Sequence, residues 1–471
     1  MPKAGERRDI MRRMHGFLKF LFSLILLALI VVGAAWFWAG RMDGPAIDIR
    51  QPGKFIGQAS TLEMTVQAPG GRFSRVDVGV EQNGKTYPVF AVNPDAPSGG
   101  KDPADRLIVM RPIGKRALPD LQSGPARIVV HAARPVLYGL RQRESTVTRD
   151  VQVRLEPPRV TVLSTFHYIN LGGSEFAVFR VTPEDVQSGV RAGDKEYPAF
   201  PASGAGINAD PALRVAFFAL LYDQPTDTKI DVFARDLAGN QVVVPLDYRV
   251  FPKQYKKSRI EIDDRFLQRV VPAIASASPD EKIPTDDLLA GFLKINRDLR
   301  QKNNQYIRDL ARKTSPELMF KDAFQQLGNS SVQAQFADAR TYIYNGKEVD
   351  QQVHLGFDLA VTANVPVSAS QRGVVVHADD LGIYGNCVVI DHGLGVQSLY
   401  GHLSSIGVKA GDKVEKGQEI GRSGQTGLAG GDHLHFTTLV GGEQVTPVDW
   451  WSAQWMQDRV LRKIKDAGGT P

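Results

Sequence analysis

The chain has 471 residues, of which 42% are hydrophobic and 23% are charged, and it contains a single cysteine. This composition predicts a globular protein of several domains and excludes an intrachain disulfide. The formal net charge is +6, but most of the excess positive charge lies in residues 1–19, which contain six basic and two acidic side chains. Because the remainder of the chain is nearly balanced, no nucleic-acid partner is predicted.

An apolar run at residues 20–39 has the length of a membrane-spanning helix and contains no charged side chain. Trp36 and Trp38 stand near its end, as aromatic residues do at a bilayer interface. The basic residues before the run predict a cytoplasmic N-terminus and place the chain after Arg41 on the other side of the membrane. A cleaved signal peptide is the alternative, but the run is long for one and no clean small-x-small site precedes Arg41. We therefore predict an uncleaved anchor.

Residues 46–251 have the alternating pattern of short β-strands. Turn signals such as Gly70-Gly71 and Asn83-Gly84 separate the strand candidates, which are residues 62–66, 75–80, 127–131 and 151–155.

An internal repeat lies within this β region. Residues 85–90 (KTYPVF) recur as residues 195–200 (KEYPAF), 110 positions later, which is about the size of one immunoglobulin-like sandwich. The repeat predicts two such sandwiches in tandem, with Pro157-Pro158 at the joint. They could bind carbohydrate or a protein partner, but the lack of an aromatic cluster in the sequence favours a spacer.

Residues 252–328 have a helical character. The sequence from Ser278 to Glu281 has a capping-box pattern with proline at the first helical position. Apolar residues at near-heptad spacing from Leu288 to Leu310 predict an amphipathic helix of about 25 residues. Ser315-Pro316 predicts the start of another helix that ends near Gly328. The apolar stripe is predicted to be part of the core, with a coiled-coil dimer or a docking helix as the alternative.

Four of the nine histidines fall in three short motifs near the C-terminus, namely HLGFD at 354–358, YGHL at 400–403 and DHLHF at 432–436. The glycine-rich and β-branched surroundings of His354 and Asp358 favour an extended or bent segment over a helix. His433 and His435 are two positions apart, so on a strand they point to the same face. Two imidazoles and a carboxylate from this set would make an open zinc site.

With these motifs the chain resembles the lysostaphin/LytM-type zinc metallo-endopeptidases, which cut peptide bonds in bacterial peptidoglycan. The resemblance covers roughly residues 335–455 and rests on Phe336, Arg340, His354–Asp358, Tyr384–Asn386, Asp391–Gly393, Tyr400–Ser404, Gly424–Gly427 and Gly431–Phe436. It implies that His354, Asp358 and His435 are the zinc ligands and that His402 and His433 are the catalytic histidines. Relatives that only activate other hydrolases lose ligands, whereas this chain has all of them.

The resemblance implies a compact antiparallel β domain with a groove over the metal. The glycine-rich residues 421–427 are expected to border this groove. Cys387, His377 and His392 are interpreted as structural residues. The helical segment is expected to pack beside the groove and to limit access, so that a fragment starting near Ser330 would cut faster.

The fold class predicted from the whole sequence is therefore mainly β and multidomain. The predicted parts are a cytoplasmic tail (1–19), a transmembrane anchor (20–39), two immunoglobulin-like domains (46–156 and 157–251), a helical segment (252–328), an antiparallel β metallopeptidase domain (329–457) and a C-terminal tail (458–471).

The predicted function is that of a single-pass inner-membrane enzyme with a periplasmic catalytic domain. It would hold one zinc ion per chain and cleave cross-links or stem peptides of peptidoglycan. Envelope proteins are possible partners through the immunoglobulin-like domains or the helical segment. The alternatives are a non-catalytic scaffold that activates another cell-wall hydrolase and a protease of envelope proteins.

Overall fold

The computed structural model describes residues 4–68, 72–92, 106–208 and 210–470. The fold is mainly β with one N-terminal apolar helix. It divides into two compact units, Met1–Pro157 with Leu237–Asn240, and Pro158–Asp236 with Gln241–Pro471. The predicted turn at Gly70-Gly71 lies outside the described residues.

The first unit begins with one long helix, α1 (Ala4–Ala39). Its stretch Arg12–Ala39 is long and apolar enough to cross a membrane. A signal sequence has the same properties, so the anchor stays a prediction.

Eight strands complete the first unit. They are β1 (Ala46–Gln51), β2 (Phe55–Ile56), β3 (Thr61–Gln67), β4 (Arg75–Gln82), β5 (Lys85–Val92), β6 (Arg106–Pro112), β7 (Gly124–Val136) and β8 (Arg141–Val153). They form the sheets β1-β3-β6 and β2-β8-β7-β4-β5, whose apolar faces share one core. Strands were predicted correctly at residues 62–66, 75–80 and 127–131, whereas residues 151–155 are strand only as far as Val153. Asn83 and Gly84 join β4 to β5 with φ values of 52° and 76°, as a two-residue hairpin turn requires.

The second unit starts with a second β region. Its strands are β9 (Arg159–Val162), β10 (His167–Asn170), β11 (Ser174–Thr182), β12 (Gln187–Ala192), β13 (Lys195–Pro198), β14 (Phe200–Pro201), β15 (Leu213–Ala219), β16 (Ile230–Arg235), β17 (Gln241–Pro245) and β18 (Tyr248–Phe251). They form the sheets β14-β15-β11-β9 and β13-β12-β16-β17 and the pair β10-β18.

The sequence repeat is also a repeat of strand register. Tyr87 pairs with Val80 in the first unit, and Tyr197 pairs with Val190 in the second. Both hairpins therefore align their partners at the same offset of 110 residues. The immunoglobulin-like topology of the two regions stays a prediction.

The helical segment contains α2 (Asp264–Ala277), α3 (Leu288–Lys294) and α4 (Arg300–Leu310). A π-helical turn, Ile295–Leu299, joins α3 to α4, so the predicted amphipathic helix is confirmed. The capping-box prediction was wrong, because Pro279–Glu281 is only a single 3₁₀ turn. The sequence analysis missed α2, which begins after Asp263, whose carboxylate accepts a hydrogen bond from the Phe266 backbone N–H.

The prediction of a helix that starts at Ser315 was also wrong, because residues 314–330 contain no helix. Backbone N–H groups of this segment donate to distant carbonyls, with Leu318 bonded to Gly204 and Phe324 bonded to Trp450. The Phe320 side chain is buried in the same apolar cluster as Trp450. Tertiary contacts therefore replace the local hydrogen bonds that a helix would make.

The C-terminal domain adds fourteen short strands and three helices. They are β19 (Lys257–Ile262), β20 (Ser331–Ala334), β21 (Asp338–Tyr344), β22 (Lys347–His354), β23 (Phe357–Ala360), β24 (Pro366–Ser368), β25 (Gly373–Asp380), β26 (Asn386–Gly393), β27 (Val396–Leu403), β28 (Ser405–Ile406), β29 (Lys413–Val414), β30 (Glu419–Arg422), β31 (Leu434–Val440), β32 (Glu443–Val445), α5 (Val448–Trp451), α6 (Ala453–Trp455) and α7 (Arg462–Asp466). The main sheet has the order β20-β23-β31-β27-β26-β25-β29, and β32 pairs with β31. Cys387 is fully buried on β26, as predicted.

Two apolar clusters join this domain to the residues that precede it. Phe292 and Ile295 of the helical segment are buried with Leu399 of β27. In the other cluster Phe176 of the second β region is buried with Trp450. The main sheet and the C-terminal helices therefore share their cores with the helical segment and the second β region.

This shared core changes the expected behaviour of a fragment that starts at Ser330. The fragment lacks at least five buried apolar side chains, and burial of each contributes about 1.5–3 kcal/mol to the free energy of folding. The summed loss is on the order of the stability of a whole domain. We expect this fragment to be insoluble, or to show the circular dichroism spectrum of an unfolded chain, and not to be more active than the full chain. A fragment that starts at Pro158 keeps both clusters and is the control. Cooperative unfolding of the shorter fragment would contradict the prediction.

Candidate active site

Adjacent strands bring the predicted ligands together. His354 ends β22, Asp358 follows at the start of β23, and only Leu355 and Gly356 separate the two strands. Asp358 lies directly opposite His435 in the antiparallel pair β23-β31. The expectation of a bent segment rather than a helix at 354–358 is therefore confirmed.

The three side chains form a nearly equilateral triangle of electron-pair donors. His354 Nε2 lies 2.9 Å from Asp358 Oδ1 and 3.0 Å from His435 Nδ1, and the last two atoms are 3.1 Å apart. A tetrahedral zinc ion with bonds of 2.0–2.1 Å would set its ligands about 3.3 Å apart. The spacing thus fits a small cation held by two nitrogens and one oxygen.

Neighbouring groups fix the orientation of these rings. His354 Nδ1–H donates a hydrogen bond to the Gln335 carbonyl at 3.1 Å. The lone pair of Nε2 is then available to bind a metal ion. At Gly356 a Cβ atom would lie 2.5 Å from His435 Nε2, so only glycine allows the ring to sit there. Both imidazoles are buried.

The two predicted catalytic histidines lie beside the triangle. His402, at the end of β27, has its ring centroid 4.8 Å from that of His433 and 5.7 Å from that of His435. His433 precedes β31, in an isolated bridge with Gly424, and its Nε2 lies 3.4 Å from Asp358 Oδ1. The structure therefore brings all five predicted site residues together.

Backbone carbonyls hold both of these rings by Nδ1. His402 Nδ1 donates to Thr426 O at 2.8 Å, and His433 Nδ1 donates to Gly431 O at 2.9 Å. Nε2 is then the ring nitrogen that remains for chemistry in each case. His402 also has a φ of 64°, a strained value for a residue with a side chain and one that often accompanies functional sites.

The titration behaviour of the cluster reflects its burial and its charges. Burial alone would raise the pKa of Asp358, but the adjacent His354, His433 and His435 hold it well below its usual range. Burial lowers the pKa of His402 well below normal, and the nearby histidines add to this effect. Burial likewise lowers the pKa of His435 to about 4. A neutral His435 imidazole beside an ionised Asp358 carboxylate matches the protonation states that metal ligands require.

Arg340 is a site residue to which the sequence analysis assigned no role. Its Nη2 donates to Asp358 Oδ2 at 3.0 Å, and its Nε lies 3.5 Å from Asp338 Oδ2. The guanidinium therefore orients the carboxylate that faces the two imidazoles.

Arg340→Ala should weaken metal binding about 10–100-fold, because groups that hydrogen-bond to metal ligands typically contribute that much. Competition with a chromophoric chelator measures the affinity. Arg297→Ala is the matched control, since Arg297 pairs with Asp350 at 2.9 Å and has no contact with the cluster. Equal metal affinity of the two variants would show that Arg340 does not position Asp358.

The glycine-rich segment lies against the site through Thr426, whose carbonyl holds His402. Helix α2 reaches the same segment, because Arg269 Nη1 donates to Gln425 O at 3.5 Å, and its Nη2 donates to Ala429 O, two residues beyond the segment, at 2.5 Å. The helical segment thus contacts the loop that orients a predicted catalytic histidine. The expected limit on substrate access stays a prediction.

His377 and His392 are not members of the metal-ligand cluster. His392 Nδ1 donates to Arg372 O at 2.7 Å, its Nε2 lies 2.7 Å from Ser398 Oγ, and burial lowers its pKa to about 4. His377 contacts the Tyr306 hydroxyl and the Asp379 carbonyl. These partners support their interpretation as structural residues.

Comparison with known proteins gives matches over the same region. Residues 352–447 match the model of peptidase family M23. The peptidoglycan DD-endopeptidase ShyA of Vibrio cholerae is 47% identical over 92 residues, 20% of this chain and 21% of that protein. The DD-carboxypeptidase/endopeptidase Mpg of Neisseria meningitidis is 41% identical over 97 residues, 21% of this chain and 22% of that protein. The chain thus spans about a fifth of the length of these curated relatives.

Among solved structures, the catalytic domain of lysostaphin from Staphylococcus simulans is 30% identical. The match covers 28% of this chain and 98% of that one, with a TM-score of 0.24.

Proposed function

The chain belongs to peptidase family M23 through its C-terminal domain, and from this membership we propose that it is a zinc endopeptidase of bacterial peptidoglycan. The observation that carries the proposal is the intact triangle of His354, Asp358 and His435 with two further histidines beside it. A scaffold that only activates another hydrolase would not need five converging site residues.

The donor set supports zinc over the other common divalent cations. Calcium and magnesium prefer oxygen ligands, whereas two imidazoles and one carboxylate are a usual ligand set of catalytic zinc. When bound, zinc lowers the pKa of a coordinated water and polarises the carbonyl of the substrate.

His402 and His433 supply the proton transfers. With Nδ1 of each ring held by a backbone carbonyl, Nε2 of one ring can accept the proton of the attacking water. The same proton can then pass to the leaving amine. Because Nδ1–H of the other ring is already bonded to a carbonyl, that ring donates from Nε2 to the oxygen that becomes negative as an imidazolium with a proton on both nitrogens. Arg340 keeps Asp358 oriented throughout.

The names of the relatives support peptide links of peptidoglycan as the substrate class. The basic N-terminal residues and the apolar α1 support an inner-membrane anchor with the remaining chain in the periplasm. An alkaline-phosphatase fusion after Pro471 should therefore be active, whereas activity of a cytoplasmic reporter there would overturn this topology.

Digestion of isolated sacculi by the purified full chain tests the function. We expect cross-linked fragments to be converted into monomers that carry a new free amine, with loss of activity in a chelator and recovery on adding zinc. No release by a chain that holds zinc would favour the scaffold. Cleavage of an unfolded protein without cleavage of sacculi would favour a protease of envelope proteins.

A further inference from the structure

The hairpin formed by β7 and β8 extends beyond the rest of its sheet. β4 begins at Arg75, which pairs with Ala133, so β7 continues past the end of its neighbour. Three more residues on each strand then pair only with each other, up to Val136 and Arg141. This is a projection of about 10 Å in addition to the loop, at the usual rise per residue of a strand.

Three arginines of this projecting part contact the end of α1 and the residues after it. Arg141 Nη1 donates to the Trp36 carbonyl at 2.8 Å, and its guanidinium lies 5.2 Å from the centre of the Trp36 ring. Arg143 Nε donates to Met42 O at 2.6 Å, and Arg134 Nε donates to Asp43 O at 2.8 Å. The carbonyl of Trp36 is in the last turn of the helix and also accepts a hydrogen bond from the Gly40 backbone N–H at 3.2 Å, so Arg141 is its second donor.

The loop at the end of the hairpin, residues 137–140, has an unusual surface. Tyr138 is fully exposed and Leu140 is 73% exposed. Leu137 and Tyr138 have φ values of 53° and 57°, which are uncommon for residues with bulky side chains. The backbone thus holds an aromatic and an apolar side chain away from the protein, and such outliers point to a function.

We propose that the loop 137–140 inserts into the interface of the membrane that α1 crosses. This inference rests on the proposed membrane anchor. Arg141 holds the loop at the level of Trp36, three residues before the end of α1, which corresponds to about 5 Å along the helix axis.

The choice of a lipid interface follows from continuity with α1. Trp36 and Trp38 are 48% and 69% exposed at the end of the apolar helix, as side chains of an interfacial aromatic belt are. Tyr138 adds a third amphipathic ring at the same level, and Leu140 adds apolar surface that water would hydrate poorly. The first β region would then contact the membrane at a second point besides its helix.

The single cysteine makes a site-specific test possible. Cys387 is fully buried and burial raises the pKa of its thiol, so an added surface cysteine can be labelled selectively. Tyr138→Cys and Asn83→Cys are compared in the full chain, each carrying an environment-sensitive fluorophore. Asn83 is a matched control, because it lies in an exposed hairpin turn of the same unit and has a φ of 52°.

Both labelled chains are reconstituted into vesicles of phosphatidylethanolamine with a minority of phosphatidylglycerol, and lipids with a nitroxide near the glycerol backbone are added. We expect several-fold stronger quenching at 138 than at 83. Leu140→Asp in the Tyr138→Cys chain should bring the quenching at 138 down towards the level at 83.

If a chain that resists extraction by alkaline carbonate shows equal quenching at the two positions, the proposed insertion of the loop is wrong, whereas the membrane anchor stands. Unchanged quenching in the Leu140→Asp chain would also overturn the proposed insertion. A chain that carbonate removes from the vesicles would overturn the membrane anchor, and this inference with it.

Discussion

His402→Ala and His433→Ala should each retain about one zinc ion per chain while cleaving sacculi roughly 10²–10⁴-fold more slowly. Neither side chain belongs to the triangle of donors, yet the His402 ring centroid lies 5.7 Å from that of His435, and His433 Nε2 lies 3.4 Å from Asp358 Oδ1. Removing either ring therefore leaves three ligands and takes away a proton-transfer group. Zinc content by atomic emission and release of soluble fragments are the two measurements.

Two further variants make this test specific. His435→Ala removes a ligand and should purify largely free of metal but folded. His377→Ala removes a histidine outside the cluster and should keep both zinc and activity. The double variant His402→Ala/His433→Ala should lose less than the product of the two single effects, since both groups act on one transition state. Loss of zinc in proportion to activity in either single variant would make that residue a ligand.

Lys463→Met should destabilise the second unit by about 3–5 kcal/mol, because it leaves the buried carboxylate of Glu175 with only the more distant Arg459, at 3.9 Å, as a cationic partner. Lys463 Nζ lies 2.9 Å from Glu175 Oε1, and both side chains are buried. Burial raises the pKa of Glu175 and lowers that of Lys463, so each group depends on the other for its charge. Chemical denaturation of the full chain, followed by near-UV circular dichroism, measures the change.

The neighbouring ion pair of Arg462 and Asp466 provides the control. These side chains are 62% and 68% exposed, so Arg462→Met should change stability by no more than about 1 kcal/mol. The double variant Glu175→Gln/Lys463→Met should recover much of the loss, because no charge is then left buried. A single variant as stable as the control would show that the pair does not hold α7 to the second β region.

The sequence was most informative where function depends on short motifs. His354 and Asp358 lie four residues apart, and His433 and His435 lie two residues apart. Their short spacing in the sequence was therefore enough to predict that the side chains of each pair lie close together. The amphipathic helix was predictable for the same reason, since its apolar period is local. The contacts that the sequence could not show are distant in the chain or are made by backbone atoms. Arg269 meets Ala429 across 160 positions, and the carbonyls of Gln335, Thr426 and Gly431 leave no trace in side-chain identity.

The two copies of the β repeat are alike in strand register but have different thermodynamic roles. The first has an apolar core made only of its own residues. The second shares its core with the last helices of the chain. If its strands unfold, the buried Trp450 side chain loses the residues against which it packs. Beyond the apolar helix, the protein should therefore melt in two cooperative steps. We therefore expect the first repeated region to unfold alone and the second to unfold only together with the C-terminal domain.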